Sequence, residues 1–426
     1  MNGFVLFIII LLVEVKMKKR MLFAGVLVLC SLLVPYFVSG AAQRQQGGPQ
    51  KLVIAARGGL HVTAIESVKT AFERDNNCTI EVLGLEADDL KQKVSLDSRS
   101  SAGAYDLVMA DDPWMPEFCA AGIYANLTRM GLRDDPDFIP ASLAIGKDPY
   151  GTGDTYALPF AGNVQLLFYN KALFDNNRIA VPTDWAGVLA ASQALRQSGK
   201  LGYIIRGQQG NPIVSDYLPL LWAYGGNVFD ANGRVTVDSQ AAKDALQMYI
   251  NLLGTGANYE RNDLVAAVAD GNAGMALGWP SWFISGVDAS AAWAVIPGKA
   301  GPSSAAHPTG MIGHWMMGVT SNSTNKELAL KLLQYLTSSE NQKIMADKGG
   351  VPTRNSVYSD ASLIARYAYY PTLLQATIDS VVRPRMPEWS EIEAVYGAEL
   401  SAAVSGAKTV DRALSDARAA IERIRR

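Results

Sequence analysis

The chain is poor in the residue types that most often bind metals or act as nucleophiles. It contains three cysteines and three histidines in 426 residues. His61, His307 and His314 are far apart in the sequence, and none has a partner at metal-ligand spacing. No Gly-x-Ser-x-Gly elbow, phosphate-binding loop or dinucleotide fingerprint occurs in a suitable context. The motifs therefore predict no metal site, no cofactor and no catalytic residue.

Charged residues are also scarce, at 18% of the chain, and the net charge is only -2. A chain so close to neutral has no strong field with which to attract nucleic acid or an anionic membrane surface, so we exclude both as partners. Its length of 426 residues is greater than that of most domains built on a single hydrophobic core. The length therefore predicts two or more domains.

The amino terminus has the pattern of a secretory signal peptide. Residues 18–20 are all basic, and residues 21–33 form a mainly apolar segment. Residues 38–40 end in small side chains at the spacing that signal peptidase requires. We predict cleavage after Gly40 or Ala41.

Met17 is predicted to be the true start, so residues 1–42 would comprise the signal peptide and a mis-called extension. The apolar run at residues 4–13 is too short to span a bilayer. Lipid attachment at Cys30 is not expected, because Leu29 stands where a lipoprotein signal requires Gly, Ala or Ser. We expect a protein exported to the periplasm or the cell exterior and soluble after cleavage.

Two cysteines, Cys78 and Cys119, remain beyond the predicted leader. Two cysteines in a large exported protein do not make a disulfide framework. We expect buried free thiols, with a single bridge between them as the alternative.

Strands and helices alternate at the start of the predicted mature chain. Strands are predicted at residues 51–56, 79–83 and 105–110. Helical periodicity separates them, so the sheet should be mainly parallel. Ligands bind at the carboxyl ends of strands in such sheets, which is where Arg57, Glu86 and Asp111 fall. These residues are candidates for a polar rim, although Asp111 could instead cap the turn before Pro113.

Residues 156–175 are predicted to contain a buried strand through which the chain enters its second part. Residues 164–169 are apolar except for Gln165, which predicts a buried strand. Asn163 and Gln165 stand at its entrance, and they are either the polar start of a core strand or ligand contacts. Asn170 can cap the helix that follows.

Several tryptophans lie in a part of the chain that has little charge. Trp279, Trp282 and Trp315 stand beside Gly or Pro at predicted strand ends, where their rings can project into a cleft and stack on the apolar face of a ligand. The alternative for these rings is core packing. Core packing is what we expect for Trp185, Trp222 and Trp293. Strands at residues 293–297 and 314–320 are predicted to return to the first lobe, the α/β unit at the start of the predicted mature chain.

Short motifs extend from about residue 51 to the C-terminus. They are Tyr105-Asp106-Leu107-Val108 before Asp111, Tyr169-Asn170-Lys171 after an apolar run, Gly274-Met275-Ala276-Leu277 before Trp279 and Trp282, Gly313-His314-Trp315, Asn325-Lys326-Glu327-Leu328-Ala329, Gly350-Val351-Pro352-Thr353-Arg354 and Arg383-Pro384. Together they resemble the motifs of extracellular solute-binding proteins (family 1) that serve ABC-type sugar importers. Asn163 departs from that pattern, because several members carry Asp there.

The resemblance implies an α/β, two-lobed, periplasmic-binding-protein-like fold of the maltose-binding-protein-like type II, with the ligand cleft between the lobes. It implies lobe I at residues 43–154 and 287–348, and a helix-rich lobe II at residues 155–286 and 349–426. The crossovers between the lobes are expected near Thr155, Ser285 and Gly349.

The same resemblance implies a monomeric, non-enzymatic protein that captures a mono- or oligosaccharide and delivers it to a membrane-embedded ABC permease. The implied ligand contacts are Asp111, Asn163, Trp279, Trp282, Gly313, Trp315, Arg383, Arg57 and Glu86. For Arg383, a structural salt bridge is the alternative. Two other functions stay open: an exported glycoside-active enzyme that uses Asp111 and Glu86, and a ligand sensor for a chemoreceptor.

Overall fold

The computed structural model describes residues 49–283, 291–294 and 310–426. The predicted leader, the crossover predicted near Ser285 and most of the strand predicted at residues 293–297 lie outside the described residues. Within the described ranges, no helix is both long and apolar enough to cross a membrane. Both Cys78 and Cys119 are free thiols, as expected. Cys78 is buried as predicted, whereas Cys119 is partly exposed.

The described elements alternate between strand and helix in the first part of the chain and become mainly helical later. In the first part they are β1 (Gln50–Arg57), α1 (Leu60–Asn76), β2 (Cys78–Leu85), α2 (Ala87–Asp97), β3 (Leu107–Asp111), a 3-10 turn (Asp112–Trp114), α3 (Met115–Ala120), α4 (Pro140–Ile145), β4 (Lys147–Asp148), β5 (Asp154–Thr155) and β6 (Leu158–Ala161). In the middle they are β7 (Leu166–Asn170), α5 (Lys171–Asn177), α6 (Trp185–Gln197), β8 (Leu201–Ile205), α7 (Asn211–Ala223), α8 (Gln240–Thr255), β9 (Ala257–Asn258), α9 (Arg261–Ala269), β10 (Ala273–Gly278), α10 (Pro280–Phe283) and β11 (Ala291–Ala294). The last part comprises β12 (Trp315–Val319), α11 (Lys326–Leu336), α12 (Ser339–Ala346), α13 (Asn355–Tyr358), α14 (Ala361–Arg366), α15 (Tyr370–Asp379), α16 (Trp389–Val404) and α17 (Val410–Ile424).

The first sheet has five strands in the order β2-β1-β3-β12-β6. Strands β1, β2 and β3 are parallel, which confirms the predicted parallel arrangement, and β12 runs antiparallel between β3 and β6. One hydrophobic cluster contains the side chains of this sheet together with those of α1 and α11. The helices therefore cover the sheet and bury its hydrophobic side chains.

The second sheet has the strand order β11-β7-β10-β8-β9. Because successive strand residues point to opposite faces, its side chains enter two separate clusters. Leu167 belongs to one cluster, whereas Leu166 and Phe168 belong to the other. The strand predicted at residues 164–169 is thus confirmed as buried, and the Oδ1 atom of Asn170 accepts the predicted capping hydrogen bond from the next helix.

Two elements lie in a different sheet from the one the sequence predicted. Strand β11 pairs antiparallel with β7, so the prediction that a strand near Trp293 returns to the first lobe is wrong for residues 291–294. The pairing partner of a strand depends on contacts distant in sequence. Here β11 pairs with β7 and becomes the outermost strand of the second sheet. Strand β6 lies in the first sheet, so the chain crosses after it rather than near Thr155. The strand predicted at residues 314–320 does join the first sheet, as β12.

Within the described residues, three segments connect the two sheet regions and a fourth runs beside them. We call residues 162–165, 310–314, 350–353 and 380–383 together the hinge layer. Backbone hydrogen bonds join neighbouring segments, from Gly162 N to Val351 O (3.0 Å), from Gly313 N to Asn163 O (2.9 Å) and from Ile312 N to Val381 O (3.0 Å). The four segments therefore form one continuous layer between the sheets.

Candidate ligand-binding site

Residues from several strands come together at the end of the first sheet that faces the hinge layer. We call this end of the sheet, where the strands begin or terminate, the first edge, and the corresponding end of the second sheet the second edge. Asp111 ends β3, and it is opposite Trp315, the first residue of the antiparallel β12. Trp315 is also opposite Ala161, the last residue of β6. Because β1 is parallel to β3, Arg57 at the end of β1 lies on this same edge. The pairing therefore brings together residues that are 50 or more positions apart in sequence.

The corresponding edge of the second sheet carries the tryptophan pair. Gly278 ends β10 opposite Leu166, the first residue of β7. Trp279 follows directly and is almost buried, and Trp282 is partly exposed. The two rings are perpendicular, with their centroids 6.5 Å apart. This edge therefore presents an aromatic corner beside the hinge layer.

Asn163, Gly313 and Trp279 make the contact between the hinge layer and the second edge. Asn163 is buried, and its Oδ1 atom accepts a hydrogen bond from Ser281 N at 3.3 Å. The Trp279 ring packs so closely on Gly313 that a Cβ atom there would lie 2.3 Å from the ring carbon Cζ3. Glycine at 313 is therefore needed for close approach of the ring to the backbone.

His314 occupies the position where the resembled motif has a second glycine, and it holds the hinge layer to the first lobe. Its Nδ1 atom is 2.8 Å from Asn163 O, and its Nε2 atom is 2.7 Å from Ser142 Oγ. A carbonyl oxygen only accepts, so Nδ1 carries the proton and the Ser142 hydroxyl donates to Nε2. Complete burial lowers the pKa of His314 to about 4, so the ring is neutral at pH 7.

Trp315 is the aromatic ring of the first edge. It is partly exposed and packs between His61, at a centroid distance of 5.8 Å, and Trp114, which is perpendicular to it at 5.6 Å. Trp185 is completely buried, as expected of a core residue. Trp222 packs partly buried against the second core, and the side chain of Trp293 lies outside the described residues.

Arg383 lies in the hinge layer and is paired with several carboxylates. Its side chain is only 2% exposed. Its Nη2 atom donates to Asp111 Oδ1 at 3.0 Å and also to Asp112 Oδ1, and its Nη1 atom is 3.6 Å from Glu393 Oε1. Burial raises the pKa of Asp112 to about 7 despite the nearby arginines Arg383 and Arg385. Arg383 thus takes the salt-bridge arrangement, with its guanidinium turned to these acids.

Asp111 both caps a turn and keeps part of its carboxylate accessible. Its Oδ1 atom accepts from Asp112 N at 3.0 Å at the start of the 3-10 turn, as the capping alternative predicted. Its side chain is 18% exposed. The capping role and an accessible carboxylate therefore coexist at the same residue.

Arg57 and Glu86 form a separate pair at the outer part of the first edge. The Arg57 Nη2 atom is 2.7 Å from Glu86 Oε2, and the Glu86 side chain is 75% exposed. Arg57 also donates to Leu85 O at 3.0 Å. The Arg57 guanidinium lowers the pKa of Glu86. In the described residues, no hydrogen bond or ion pair joins this pair to Asp111 or Arg383.

Sequence reasoning missed Arg206, and it left Gln165 undecided. Arg206 follows β8 and pairs with Asp216 on α7, both of them buried. Gln165 is completely buried and donates through Nε2 to Ser215 O at 3.0 Å. An arginine directly after an apolar strand was the available signal, since its burial requires a partner. The part of the chain described here contains no group of three or more His, Cys, Asp or Glu residues arranged to hold a metal ion.

Known proteins resemble this chain along most of its length. A family model described as "Bacterial extracellular solute-binding protein" matches residues 58–343. The probable amino-acid ABC transporter periplasmic-binding protein y4oP of Sinorhizobium fredii is 25% identical over 438 residues, covering 95% of this chain and 97% of that protein. The mannitol-binding protein of Pseudomonas aeruginosa is 26% identical, with 87% and 92% covered.

Solved structures have the same fold. The chain is similar to a solute-binding protein of Agrobacterium radiobacter K84 in complex with ribitol, with a TM-score of 0.79, 22% identity and coverage of 87% and 97%. It is also similar to maltose-bound MalE3 of T. maritima, with a TM-score of 0.77, 23% identity and coverage of 88% and 99%. These likenesses confirm the predicted two-lobed α/β fold. Because the family model spans well over half of its length, this chain belongs to the bacterial extracellular solute-binding proteins.

Proposed function

We propose that this protein captures a sugar or sugar alcohol between its two lobes and delivers it to an ABC permease. The names of its relatives support this class of ligand, since they include a mannitol-binding protein and structures in complex with ribitol and maltose. One relative is instead named for amino-acid transport. The choice between the two ligand classes therefore has to come from the site itself.

The observation that carries the proposal is the pairing of charge at both edges. Arg57 is paired with Glu86, Arg206 with Asp216, and Arg383 with Asp111. A free amino acid brings an ammonium and a carboxylate, and burying each of them requires an unpaired opposite charge. A neutral ligand needs only hydrogen bonds and apolar contact, which paired polar groups and aromatic rings supply.

We assign the centre of the site to Asp111, Asn163, Trp279, Trp282, Gly313 and Trp315. Gly313 acts through its backbone and through the space it leaves for the Trp279 ring. We assign Arg383 the role of orienting Asp111, and we assign Arg57 and Glu86 to the outer rim. In this proposal lobe I surrounds the first sheet, lobe II surrounds the second, and the hinge layer lies between them.

Ligand capture would be coupled to lobe closure. Only a closed arrangement brings a ligand into contact with both edges, so ligand binding favours that state. The permease would recognise the closed form. We further propose that the protein is exported, carries no lipid and acts as a monomer.

A thermal-shift screen tests the ligand class. A ligand that binds only the folded state stabilises it by about 2.7 kcal/mol at 100-fold excess over its Kd. We expect a rise in Tm with at least one saccharide or polyol, followed up by calorimetric titration. A rise with amino acids alone would contradict the proposal.

We propose binding without catalysis. A glycoside-active enzyme needs a carboxylic acid that contacts the ligand and keeps its proton near neutral pH. Arg57 lowers the pKa of Glu86, and Asp112, whose pKa is raised to about 7, is completely buried and paired with Arg383. The ligand should therefore be recovered unchanged after long incubation. Product that accumulates in proportion to protein, and is lost in Asp111→Asn, would support the enzyme.

A further inference from the structure

Arg206 lies at the same edge of the second sheet as the tryptophan pair. It follows β8 (Leu201–Ile205), which is parallel to β10, and β10 ends directly before Trp279. Its side chain is only 7% exposed. An arginine is rarely enclosed to this extent unless its charge is matched by a partner.

One carboxylate and one hydroxyl hold Arg206 in a fixed orientation. Its Nε and Nη2 atoms both donate to Asp216 Oδ1, at 3.0 Å and 2.5 Å, and its backbone N–H donates to Asp216 Oδ2 at 3.1 Å. Nη2 also donates to Ser215 Oγ at 2.6 Å. The guanidinium plane therefore has little freedom to rotate.

Stability is not a sufficient reason for this pair. Removing two charges from water costs about as much as their attraction returns, so buried ion pairs contribute little net stability. Asp216 is completely buried on α7, where most neighbouring side chains are apolar. Such a pair is better explained by a need to present one group in a defined place.

The group that remains available is Nη1. It makes no hydrogen bond to any described residue, and it is not among the enclosed unpaired atoms of the described chain. The guanidinium carbon lies 4.8 Å from the centroid of the Trp282 ring. Arg206 thus supports a partly exposed ring and has one free donor beside it.

We propose that Arg206 contacts the ligand directly and determines specificity, donating from Nη1 to an oxygen of the sugar or polyol that lies against Trp282. The proposal rests on the proposed function. Asp216 already neutralises the guanidinium, so the free donor suits a hydroxyl or ring oxygen better than a carboxylate. A donor held in place before binding loses little entropy when the ligand arrives.

The test uses Arg206→Lys, which keeps the positive charge beside Asp216 but removes the fork that carries Nη1. We expect the Kd for a polyol or saccharide that stabilises the wild type to rise about tenfold or more. Deoxy analogues, each lacking one hydroxyl, provide a double-mutant cycle. For one analogue, Arg206→Lys should weaken binding little further. The hydroxyl that this analogue lacks is then the one that accepts the hydrogen bond from Arg206.

Arg418 provides the control, because its ion pairs lie within the same lobe as Arg206. It is on α17 and pairs with Asp238 at 3.2 Å and with Glu422 at 2.9 Å. Its hydrogen bonds do not include the tryptophan pair or Arg206. Arg418→Lys should lower Tm slightly but change the Kd less than twofold.

A Kd for Arg206→Lys within twofold of wild type would overturn the inference. If that variant does not fold, a crystal structure of the wild-type complex decides: Nη1 within about 3.2 Å of a ligand oxygen supports the inference, and every ligand oxygen beyond about 4 Å overturns it. Wild-type protein that binds no saccharide or polyol contradicts the proposed function itself. Wild-type binding with an unaffected Arg206→Lys contradicts only the inference.

Discussion

Two arginines are buried near the two sheet edges, and they differ in which parts of the molecule they join. Arg383 contacts Asp111 of the first sheet and lies 3.6 Å from Glu393, on a helix that packs in the second core. Arg206 pairs with Asp216 of its own sheet region. The first arginine therefore joins the two sheet regions, which we propose to be lobes that close on the ligand, whereas the second remains within one sheet region.

A second contact, like that of Arg383, joins the first sheet region to helix α16. Lys91 and Glu117 form an ion pair at 2.7 Å in the first lobe, and both contact Ser390 at the start of α16, at 2.6 Å and 3.0 Å. Changes at Arg383 should therefore act on stability and hinge motion. Changes at Arg206 should act mainly on ligand affinity.

The largest expected effect is that of Arg383→Met. This change leaves Asp111, Asp112 and Glu393 without their shared partner, and breaking a buried ionic cluster typically costs about 3–5 kcal/mol. Denaturant unfolding should record this loss, with Arg383→Lys less affected. Arg206→Met removes the partner of one carboxylate and should cost less. Equal losses at the two sites would remove the distinction between them.

Gly313→Ala tests the packing of the hinge layer against the second edge. The new methyl group would lie 2.3 Å from the Trp279 ring, so the ring has to move. Overpacking of this kind costs about 1–3 kcal/mol, and the displaced ring should also weaken ligand binding. Unfolding and titration measure the two effects.

Gly254 provides the control, because a Cβ atom there meets nothing within 4 Å in helix α8. Gly254→Ala should be neutral or stabilising by up to about 1 kcal/mol. A Gly313→Ala variant that behaves like this control would mean that the ring contact is not important.

The hinge layer should also respond to acid through His314. Its pKa is about 4 in the folded protein, below the ordinary 6.5, so the unfolded chain binds more protons between these values. His314 therefore contributes stability that is lost as the pH falls from 6.5 to 4, amounting to about 1.5 kcal/mol between pH 6.5 and 5. The raised pKa of Asp112 acts with the opposite sign.

The difference between wild type and His314→Asn, measured by unfolding across that pH range, isolates the histidine. Asparagine can still donate to Asn163 O. The variant should lose less stability on acidification than the wild type does. Parallel pH profiles would show that His314 does not titrate in this way.

Sequence periodicity was informative wherever burial alone decides the structure. The apolar face of α17 is a case, since Ala413, Leu414, Ala417 and Ile421 recur at helical spacing in the sequence and are buried. Burial of Trp185 was likewise predicted and is confirmed. These elements need only one face directed to a core, and that requirement is visible in the local sequence.

Partners that are distant in sequence were harder to predict. The strand predicted at residues 293–297 was expected to return to the first lobe, whereas residues 291–294 pair with β7, and this pairing has no local signal in the sequence. Arg206 was missed because its partner, Asp216, lies ten positions away on an otherwise apolar helix. The ligand roles assigned to Asp111, Asn163 and the other site residues remain predictions.

The smallest expected effects separate ligand-binding rings from core rings. Trp282 and Trp315 are partly exposed at the two edges, and each ring that stacks on a sugar face should contribute about 1 kcal/mol beyond area burial. Trp282→Ala and Trp315→Ala should therefore weaken binding roughly tenfold at a modest cost in stability. Trp185 is the core control, because its truncation should cost about 3–5 kcal/mol and leave affinity unchanged.

Trp279 should combine both behaviours, because it is only 9% exposed and packs on Gly313. Its truncation should lower both stability and affinity. Calorimetric titrations and denaturant melts of the four alanine variants provide the comparison. If Trp279, Trp282 and Trp315 all lose stability yet keep wild-type affinity, these rings are core residues. The ligand would then have to contact the second lobe only through polar groups, of which Arg206 is one.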